Sequence, residues 1–421
     1  AYVNEHMDTL SGISVNEDMI RKYNYSEYFS SIIGYTGPIS ESEYTALHKK
    51  NKDYTQNDTV GKAGLEQYYE TYLRGKNGEQ KFYIDNVGRI SEIISSTDSV
   101  AGDDLYLSID ADLQKATYLA LQNEIAAIVY SNIKSGEIPI NDVYTALIGN
   151  SVINTEHFSK AKASDTEKNV LSVFKSRQKT TLGKIKQELA SSPEALNTMS
   201  DEVLDEFTYI ISMLKDDQVL LKNEIDTSDS VYQKWKNQKI SPKEYLSYCI
   251  TQHWIDISQL NVDEKYADST EVYDALCKYI LKNIKTDTEF SKIIYQYMIT
   301  RGEISPRQLC LILFDQGVLD YDDATVNKLK NGSLSPRDFL MKKIYNIEIT
   351  PAQLALEPCT GSCVVTDEKT GEIRAMVSYP GYDSNKLANG VDSEYFASLQ
   401  HDKSSPLLNY ATQQKTAPGS T

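Results

Sequence analysis

The sequence has no long apolar run and few of the residues that build metal sites. No stretch of 18 or more apolar residues occurs, and no signal-peptide pattern is present, so these 421 residues contain no predicted membrane span. The five histidines are scattered, without HxxxH or HExxH spacing, and we predict neither a metal site nor a cofactor. The opening, AYVNEHMDTL, has no initial Met and is typical of mid-chain sequence.

Cysteine is scarce as well. The five cysteines form no CxxC pair and their number is odd, which disfavours a disulfide framework. Cys359 and Cys363 are four positions apart, and in an extended chain their Cα atoms would lie roughly 13 Å apart, too far for a disulfide. We therefore predict buried free thiols, and the cysteines do not distinguish a reducing from an oxidising compartment.

Positive charge is outnumbered. The sequence has 43 Lys and Arg residues and 60 Asp and Glu residues, which gives a formal net charge of -17. A surface of this sign repels phosphates as a whole, so we predict no nucleic-acid partner. The acidic group Asp320, Asp322 and Asp323 lacks the glycine and distal glutamate of a calcium loop and is interpreted as a solvated helix start.

Residues 1–103 mix short apolar runs with turn residues. Ser40 and Glu43 have the spacing of a capping box, which predicts a helix start. VGKAGLEQYYETYLRGKNG, residues 60–78, predicts a short helix held between glycines that allow positive φ. The glycines of GLE and LRGKNG are interpreted as turn residues, whereas for Glu66 a role facing a partner stays open.

Residues 104–127 change from strand to helix spacing. Leu105, Leu107 and Ile109 alternate as in a strand, and helical spacing of apolar residues begins at Leu113. Asp110 is the expected N-cap of that helix.

Residues 128–355 carry apolar residues at helical spacing, which predicts an all-α block. Four phrases within it are alike: ISPKEYL, ISPRQLC, LSPRDFL and ITPAQLA. A sequence repeat is one interpretation. Helix capping explains them better, because Ser or Thr suits the N-cap, Pro the first helical position and an acidic or amide residue the third. Their irregular spacing favours a non-repetitive helical bundle.

Residues 356–421 return to strand patterning. The apolar runs Cys363–Val365 and Ile373–Val377 flank DEKTG, which predicts a β-hairpin with a glycine at the close of its turn. The loop YPGYD follows, then PLLN, and the chain ends in QKTAPGST.

These last motifs resemble the opening of the transpeptidase domain of class B penicillin-binding proteins. That family has a similar DxxTG turn, AMVSYP, YDxN, PLLNRA and PGSTFK, although Tyr410 stands here for the usual Arg and Ala417 for a Pro. IIGYTG, GLE, LRGKNG and SIDADLQ are similar to signatures of the family's N-terminal pedestal and first transpeptidase helix. The resemblance covers about residues 1–127 and 356–421.

The resemblance implies an α+β protein. A β-rich pedestal would occupy residues 1–103, and the first strand and helix of an α/β transpeptidase domain residues 104–127. A large all-α insertion would occupy residues 128–355 and the start of the transpeptidase domain proper residues 356–421.

The resemblance also implies a catalytic residue. Ser420 matches the nucleophile of the family's S-x-x-K motif, although a PGS tripeptide taken alone would be interpreted as a turn. The matching lysine would fall two residues past Thr421, and the S-x-N and K-T-G elements are missing from these residues. We therefore expect an inactive fragment of a peptidoglycan D,D-transpeptidase that uses a serine acyl-enzyme.

Partners and location follow from the same resemblance. Peptidoglycan stem peptides ending in D-Ala-D-Ala would be the substrate, β-lactams would acylate the serine, and a membrane glycosyltransferase would dock on the pedestal. A single-pass anchor would lie ahead of Ala1, with the bulk of the protein outside the bacterial membrane. The alternative is a non-catalytic scaffold that docks partners through the pedestal and the insertion. Elongation and septal roles are not distinguished.

Overall fold

The computed structural model describes residues 20–84, 90–191, 194–262 and 267–415. The chain divides into two compact units. The first unit combines Ala1–Val129 with Thr350–Thr421, and the second is Tyr130–Ile349. The mixed α+β class expected from the sequence is confirmed, while the domain limits at residues 103, 127 and 355 stay predictions.

The first unit holds the strands together with short helices. Its elements are α1 (Ser26–Ile33), β1 (Thr36–Pro38), α2 (Glu41–Lys50), β2 (Thr59–Gly61), α3 (Gly64–Tyr68), α4 (Glu70–Leu73), β3 (Glu79–Ile84), β4 (Ile90–Thr97), the start of α5 (Ala111–Ser135), α16 (Pro351–Leu354), β5 (Gly361–Thr366), β6 (Ile373–Tyr379), α17 (Ser393–His401) and α18 (Tyr410–Gln413).

The strands form three two-stranded antiparallel sheets, β1 with β2, β3 with β4, and β5 with β6. The predicted C-terminal hairpin is confirmed, with Gly361 opposite Tyr379 and Cys363 opposite Val377. Its turn is built locally, because the Asp367 carboxylate accepts the N–H groups of Lys369 and Thr370, both at 2.9 Å.

The predicted capping box at α2 is confirmed, since Ser40 and Glu43 bond each other's backbone N–H groups. The predicted short helix over residues 60–78 is instead two helices, α3 and α4, in sequence. Gly64 has a φ of 59°, and a Cβ there would lie 2.4 Å from the Ile32 carbonyl oxygen, so the turn at this position requires glycine.

The strand predicted at the start of residues 104–127 is wrong. Leu105 and Leu107 alternate as predicted but remain 38% and 42% exposed, without a strand partner among the described residues. Among the described residues the segment bonds the beginning of β6, where the Asp110 N–H donates to the Arg374 carbonyl and the Ser108 hydroxyl donates to the Ile373 carbonyl, both at 2.9 Å. A single backbone hydrogen bond does not make a ladder, and alternation alone does not supply a neighbour.

The helix predicted to follow is confirmed as α5. The Asp110 carboxylate accepts the Leu113 N–H at 2.9 Å, as expected of the N-cap residue.

The second unit is helical in its described residues, in agreement with the predicted all-α block. Its elements after the end of α5 are α6 (Ile140–Gly149), α7 (Asp165–Ser191), α8 (Asp201–Asp216), α9 (Ser230–Lys236), α10 (Pro242–Thr251), α11 (Ser269–Ile284), α12 (Thr288–Thr300), α13 (Pro306–Asp315), α14 (Asp323–Asn331) and α15 (Pro336–Tyr345).

The four similar phrases each begin a helix, as the capping interpretation predicts. Ser241, Ser305, Ser335 and Thr350 are N-caps of α10, α13, α15 and α16, and each is followed by proline in the first turn. Asp322 likewise caps α14, so the acidic group near residue 320 is a helix start.

All five cysteines are free. Three are buried, whereas Cys277 and Cys363 are half-buried. Burial raises the pKa of the Cys249 and Cys310 thiols to about 12. These thiols therefore pack as small apolar side chains.

One acidic side chain sits in the helical core. Glu206 on α8 is 1% exposed, and its Oε1 has no hydrogen-bond partner among the described residues. The nearby Glu202 is paired with Arg177 and Arg301, at 3.1 Å and 2.6 Å. Burial, reinforced by the negative charge of Glu202, raises the pKa of Glu206 to about 8.

Glu206 makes the stability of the helical block depend on pH. Its folded pKa of about 8 lies above the ordinary 4.5, so the folded state holds a proton that the unfolded state releases between these values. Stability should therefore fall as pH rises through this window, by roughly 1.4 kcal/mol per pH unit. Glu206→Gln should remove the slope and stabilise the protein at pH near 8, as measured by urea unfolding followed with far-UV circular dichroism.

Glu224→Gln is the matched control, because Glu224 is an exposed carboxylate of the same block. It should leave the slope unchanged. An unfolding free energy of the Glu206→Gln variant that varies with pH as the parent's does would contradict the assignment.

Candidate functional site

Ser420, the predicted nucleophile, lies outside the described residues, which end at Lys415. What the structure describes is the segment that leads to it. In the described residues, the candidate site consists of the last helix, the hairpin and the elements that contact them.

The PLLN segment is held by hydrogen bonds at two consecutive residues. The Asn409 side-chain amide donates to the Ser31 carbonyl at 3.0 Å and caps α18 through the Ala411 N–H. The Tyr410 N–H donates to Ser378 Oγ at 2.9 Å, and this hydroxyl donates to the Leu408 carbonyl. The end of the PLLN segment is thus attached to both α1 and β6.

Tyr410, which replaces the family's usual arginine, has a local role. Its hydroxyl donates to the Ser404 carbonyl at 2.8 Å. Burial raises its pKa, so the hydroxyl stays a neutral donor. The substitution is accommodated by closing the turn that precedes the PLLN segment.

The YPGYD loop wraps around α1. The Tyr382 N–H donates to Ser30 Oγ at 3.1 Å, and the Tyr382 hydroxyl donates to the Ser30 carbonyl at 3.2 Å. A Cβ at Gly381 would lie 1.9 Å from the Glu27 carbonyl oxygen, so this position admits only glycine. The loop and α1 are therefore in backbone contact.

Gln114, on the first turns of α5, joins three segments. It is fully buried. Its side-chain oxygen accepts the Met376 N–H at 2.8 Å, and its amide nitrogen donates to the Met376 and Tyr28 carbonyls, both at 2.9 Å. One side chain thus satisfies both backbone groups of a β6 residue and takes the place of a neighbouring strand.

Tyr118, one turn further along α5, completes this contact. Its hydroxyl donates to the Glu27 carboxylate at 3.1 Å and accepts the Gly381 N–H at 3.1 Å. Burial first, and then the charge of Glu27, raise its pKa well above the ordinary value. We call Ser30, Gln114, Tyr118, Gly381 and Tyr382 the α1 junction.

The α1 junction brings together motifs that are distant in the sequence. Residues of SIDADLQ, of YPGYD and of the stretch before IIGYTG all contribute to it. Ser30 and Tyr118 were not identified from the sequence, because each is an ordinary polar residue within a helix. The motif that ends in Gln114 was the one available signal.

Glu66 belongs to a second polar cluster, in which its own carboxylate is buried. Arg21 makes two hydrogen bonds to its carboxylate, at 2.8 Å and 2.9 Å, and the Tyr23 hydroxyl donates to it at 3.2 Å. Glu66 is only 5% exposed, so the role facing a partner that the sequence left open for it is wrong. The Asn389 side chain bonds the Arg21 backbone N–H and carbonyl, which ties this cluster to residues after YPGYD.

A polar cavity of about 480 Å³ lies beside this cluster. Glu70 accepts the Gly61 N–H at 2.7 Å and the Tyr54 hydroxyl at 3.3 Å, and burial raises its pKa. Arg74 pairs with Asp58 and lies 4.0 Å over the Tyr54 ring. These contacts form an internal polar scaffold, in which Arg74 and Asp58 are paired and Glu70 is held by hydrogen bonds.

Neither a metal centre nor a membrane span occurs in the described part of the chain. No group of three or more His, Cys, Asp or Glu residues there could hold a metal ion. No helix there combines the length and the apolar character of a bilayer span.

Gln114→Ala should loosen β6. The change leaves the Met376 N–H and C=O buried without this partner, and each such group costs about 1–3 kcal/mol. The Tyr28 C=O also loses this amide but lies within helix α1. We therefore expect a loss of about 2–6 kcal/mol in the first unit and faster hydrogen exchange over residues 373–379, measured by mass spectrometry.

Asn123→Ala is the control, since Asn123 is an exposed amide on the same helix that bonds only its own turn. It should not alter exchange in β6. Unchanged exchange in the Gln114→Ala protein would show that the junction does not depend on this amide.

Two family models match the chain. The penicillin-binding protein dimerisation domain matches residues 1–107, and the penicillin-binding protein transpeptidase domain matches residues 361–421. The second match contains the hairpin, the YPGYD loop and the PLLN segment.

Characterised relatives agree with this assignment. The chain is 31% identical over 130 residues to the peptidoglycan D,D-transpeptidase MrdA of Salmonella typhimurium, across 30% of this chain and 21% of the relative. It is 33% identical over 129 residues to penicillin-binding protein 2A of Bacillus subtilis, across 30% of this chain and 18% of the relative. The MrdA of Escherichia coli K12 is 30% identical over 129 residues, 30% of this chain and 20% of the relative.

The chain therefore spans about a fifth of the length of these relatives in matched sequence. The α1 junction joins residues from the two segments that the family models match. In the segments that match a dimerisation domain and a stretch of transpeptidase domain, the chain is similar to the penicillin-binding proteins.

Proposed function

We propose that the chain is part of a serine-type peptidoglycan D,D-transpeptidase and that Ser420 is its nucleophile. The observation that carries the proposal is the transpeptidase match over residues 361–421, which contains Ser420 in PGST. The anchored PLLN segment supports it, because a nucleophile needs a rigid approach to reach its substrate in a defined orientation.

The proposed chemistry has two acyl transfers. The Ser420 hydroxyl attacks the carbonyl between the two terminal D-Ala residues of a stem peptide, with its proton passing to a lysine three residues later in the S-x-x-K motif. The terminal D-Ala leaves, and an ester remains on the serine. An amine from a neighbouring stem peptide then attacks this ester, forms the cross-link and frees the serine. A β-lactam would acylate the same oxygen.

The test uses the full-length gene product and a fluorescent penicillin. Wild-type protein should acquire a covalent label that survives denaturation, and Ser420→Ala should lose it completely, since no other side chain forms this ester. Ser398→Ala is the matched control at an exposed serine of α17 and should keep the label. Labelling of Ser420→Ala at the parental level would identify a different nucleophile.

A scaffold role is the second candidate, and it is favoured by an exposed apolar surface on the β3–β4 ribbon. Phe82 and Ile93, opposite each other in its register, are 43% and 56% exposed, and Ile94 is 55% exposed. Apolar side chains clustered on a short ribbon are typical of a surface that another protein covers. We propose that a membrane glycosyltransferase docks there.

The scaffold proposal is tested by co-purification from membranes that carry the full-length protein. Phe82→Glu combined with Ile93→Glu should reduce the recovered glycosyltransferase about tenfold or more, because two charges would be desolvated at the interface. Gln80→Glu combined with Ser96→Glu introduces the same charges at a polar pair of the same ribbon and should have a much smaller effect. Equal losses from the two double variants would contradict an apolar docking surface.

The remaining expectations belong to the same proposal. We propose that residues 128–355 are an insertion in the transpeptidase domain. An anchor ahead of Ala1 would hold the bulk of the protein outside the bacterial membrane, where stem peptides and β-lactams are encountered.

A further inference from the structure

A groove of about 890 Å³ lies in the helical block between α7, α10 and α11. Each helix contributes residues at helical spacing: Lys186 and Leu189 from α7, Lys243 and Ser247 from α10, and the stripe around Cys277 from α11. A groove of this volume is within the range of small-molecule sites.

The floor of the groove is apolar. The Tyr273 hydroxyl donates to the Leu189 carbonyl at 2.8 Å, which fastens α11 to the end of α7. Leu189 is 1% exposed, while Cys277 and Leu281 are half-buried and reach the groove from the side of α11. Carbon and sulfur therefore cover most of the surface that an occupant would touch.

The rim is cationic. Lys186, Lys243, Lys278 and Lys282 line it, against one carboxylate, that of Asp274. Lys186, Lys278 and Lys282 make no ion pair with any residue that the structure describes, and Lys243 donates to the Ala190 carbonyl. A local excess of positive charge in a protein of net charge -17 is a specific departure from its general surface.

We propose that this groove binds an amphiphile with a hydrocarbon chain and one anionic headgroup, a carboxylate or a phosphate. The chain lies on the floor formed by Leu189, Cys277 and Leu281. The headgroup lies at the rim, where the ammonium groups of Lys278 and Lys282 donate charge-assisted hydrogen bonds. The site is independent of the proposed transpeptidase reaction.

The dimensions favour an amphiphile over an acidic helix of a partner protein. A docked helix has a diameter of about 10–12 Å and needs a long apolar groove. Here the apolar floor is confined to the end of α7 and to one stripe of α11, because α10 contributes only the polar side chains of Lys243, Ser247 and Thr251. A single chain with a compact headgroup fits a short floor with a charged rim.

Binding is tested with the full chain and three probes that share a twelve-carbon tail, each below its micelle concentration. Dodecanoate and dodecyl phosphate should bind, as measured by calorimetry. The affinity for dodecyltrimethylammonium should be lower by a factor of about ten or more. The two anionic probes also distinguish a fatty acid from a phosphate lipid as the natural source.

Cys277 reports whether the probe occupies this groove. Alkylation of its thiol by iodoacetamide, followed by peptide mass spectrometry, should slow about tenfold when an anionic probe is bound, because the chain covers the sulfur. The half-buried Cys363, which lies outside the groove, is the internal reference and should react at an unchanged rate.

Charge-reversal variants test whether the affinity depends on the rim lysines or on the overall charge of the protein. Lys278→Glu with Lys282→Glu should weaken dodecanoate binding about tenfold or more. Lys175→Glu with Lys179→Glu makes the same change at exposed lysines four positions apart on α7, outside the groove, and should leave the affinity within about twofold.

Three results would overturn the proposal. They are equal binding of the cationic probe, unprotected Cys277 at saturating dodecanoate, and equal loss of affinity in the two double-lysine variants. Binding of an acidic amphipathic peptide to the groove without binding of either anionic probe would assign the groove to a protein partner and would also overturn it.

Discussion

The buried amide of Gln114 is the interaction on which the first unit depends. It satisfies the N–H and C=O of Met376 and the carbonyl of Tyr28, so an edge of β6 that would otherwise need another strand is closed by a side chain. A buried backbone group without a hydrogen bond costs more free energy than an intact hydrogen bond contributes to stability. Substitutions at Gln114 should therefore be destabilising. Because α1, α5 and β6 meet at this amide, it positions the hairpin and, through Ser378 on β6, the PLLN segment. Tyr118 and Gly381 extend the same contact to the YPGYD loop. The placement of the hairpin and of the PLLN segment thus depends on residues far apart in the sequence.

The helical block has a different basis of stability. Its core is apolar, with side chains such as Phe207, Leu276 and Met298 fully buried, and several of its helices, α10 and α12 among them, begin at serine or aspartate caps. Against this background Glu206 is an exception, because one of its buried oxygens has no partner among the described residues, and burial together with the charge of Glu202 raises its pKa to about 8. The lysine-rimmed groove is the other exception. It places four lysines and one carboxylate around an apolar floor in an acidic protein, and that combination is the basis of the amphiphile proposal.

Much of the local structure could be predicted because its hydrogen bonds join residues close in sequence. Capping at Ser40 and Ser305 and the hairpin turn at Asp367 all follow from side chains that bond the backbone within three positions. The strand predicted from Leu105 failed for the complementary reason. Alternation shows that a segment can have one apolar face, but a strand also needs a partner along its whole length, and this segment meets β6 at a single backbone bond.

The sequence by itself determined the mixed α+β class, the helical block and the relation to penicillin-binding proteins, because composition, periodicity and contiguous motifs carry these. It also identified Ser420 as the proposed nucleophile through PGST, a motif read along the chain. Only the tertiary structure decided that Glu66 is buried against Arg21, that Gln114 closes β6, and that lysines from three helices share one rim. Each of these rests on contacts between residues far apart in sequence, whose pairing is set by how the elements pack and not by any local pattern.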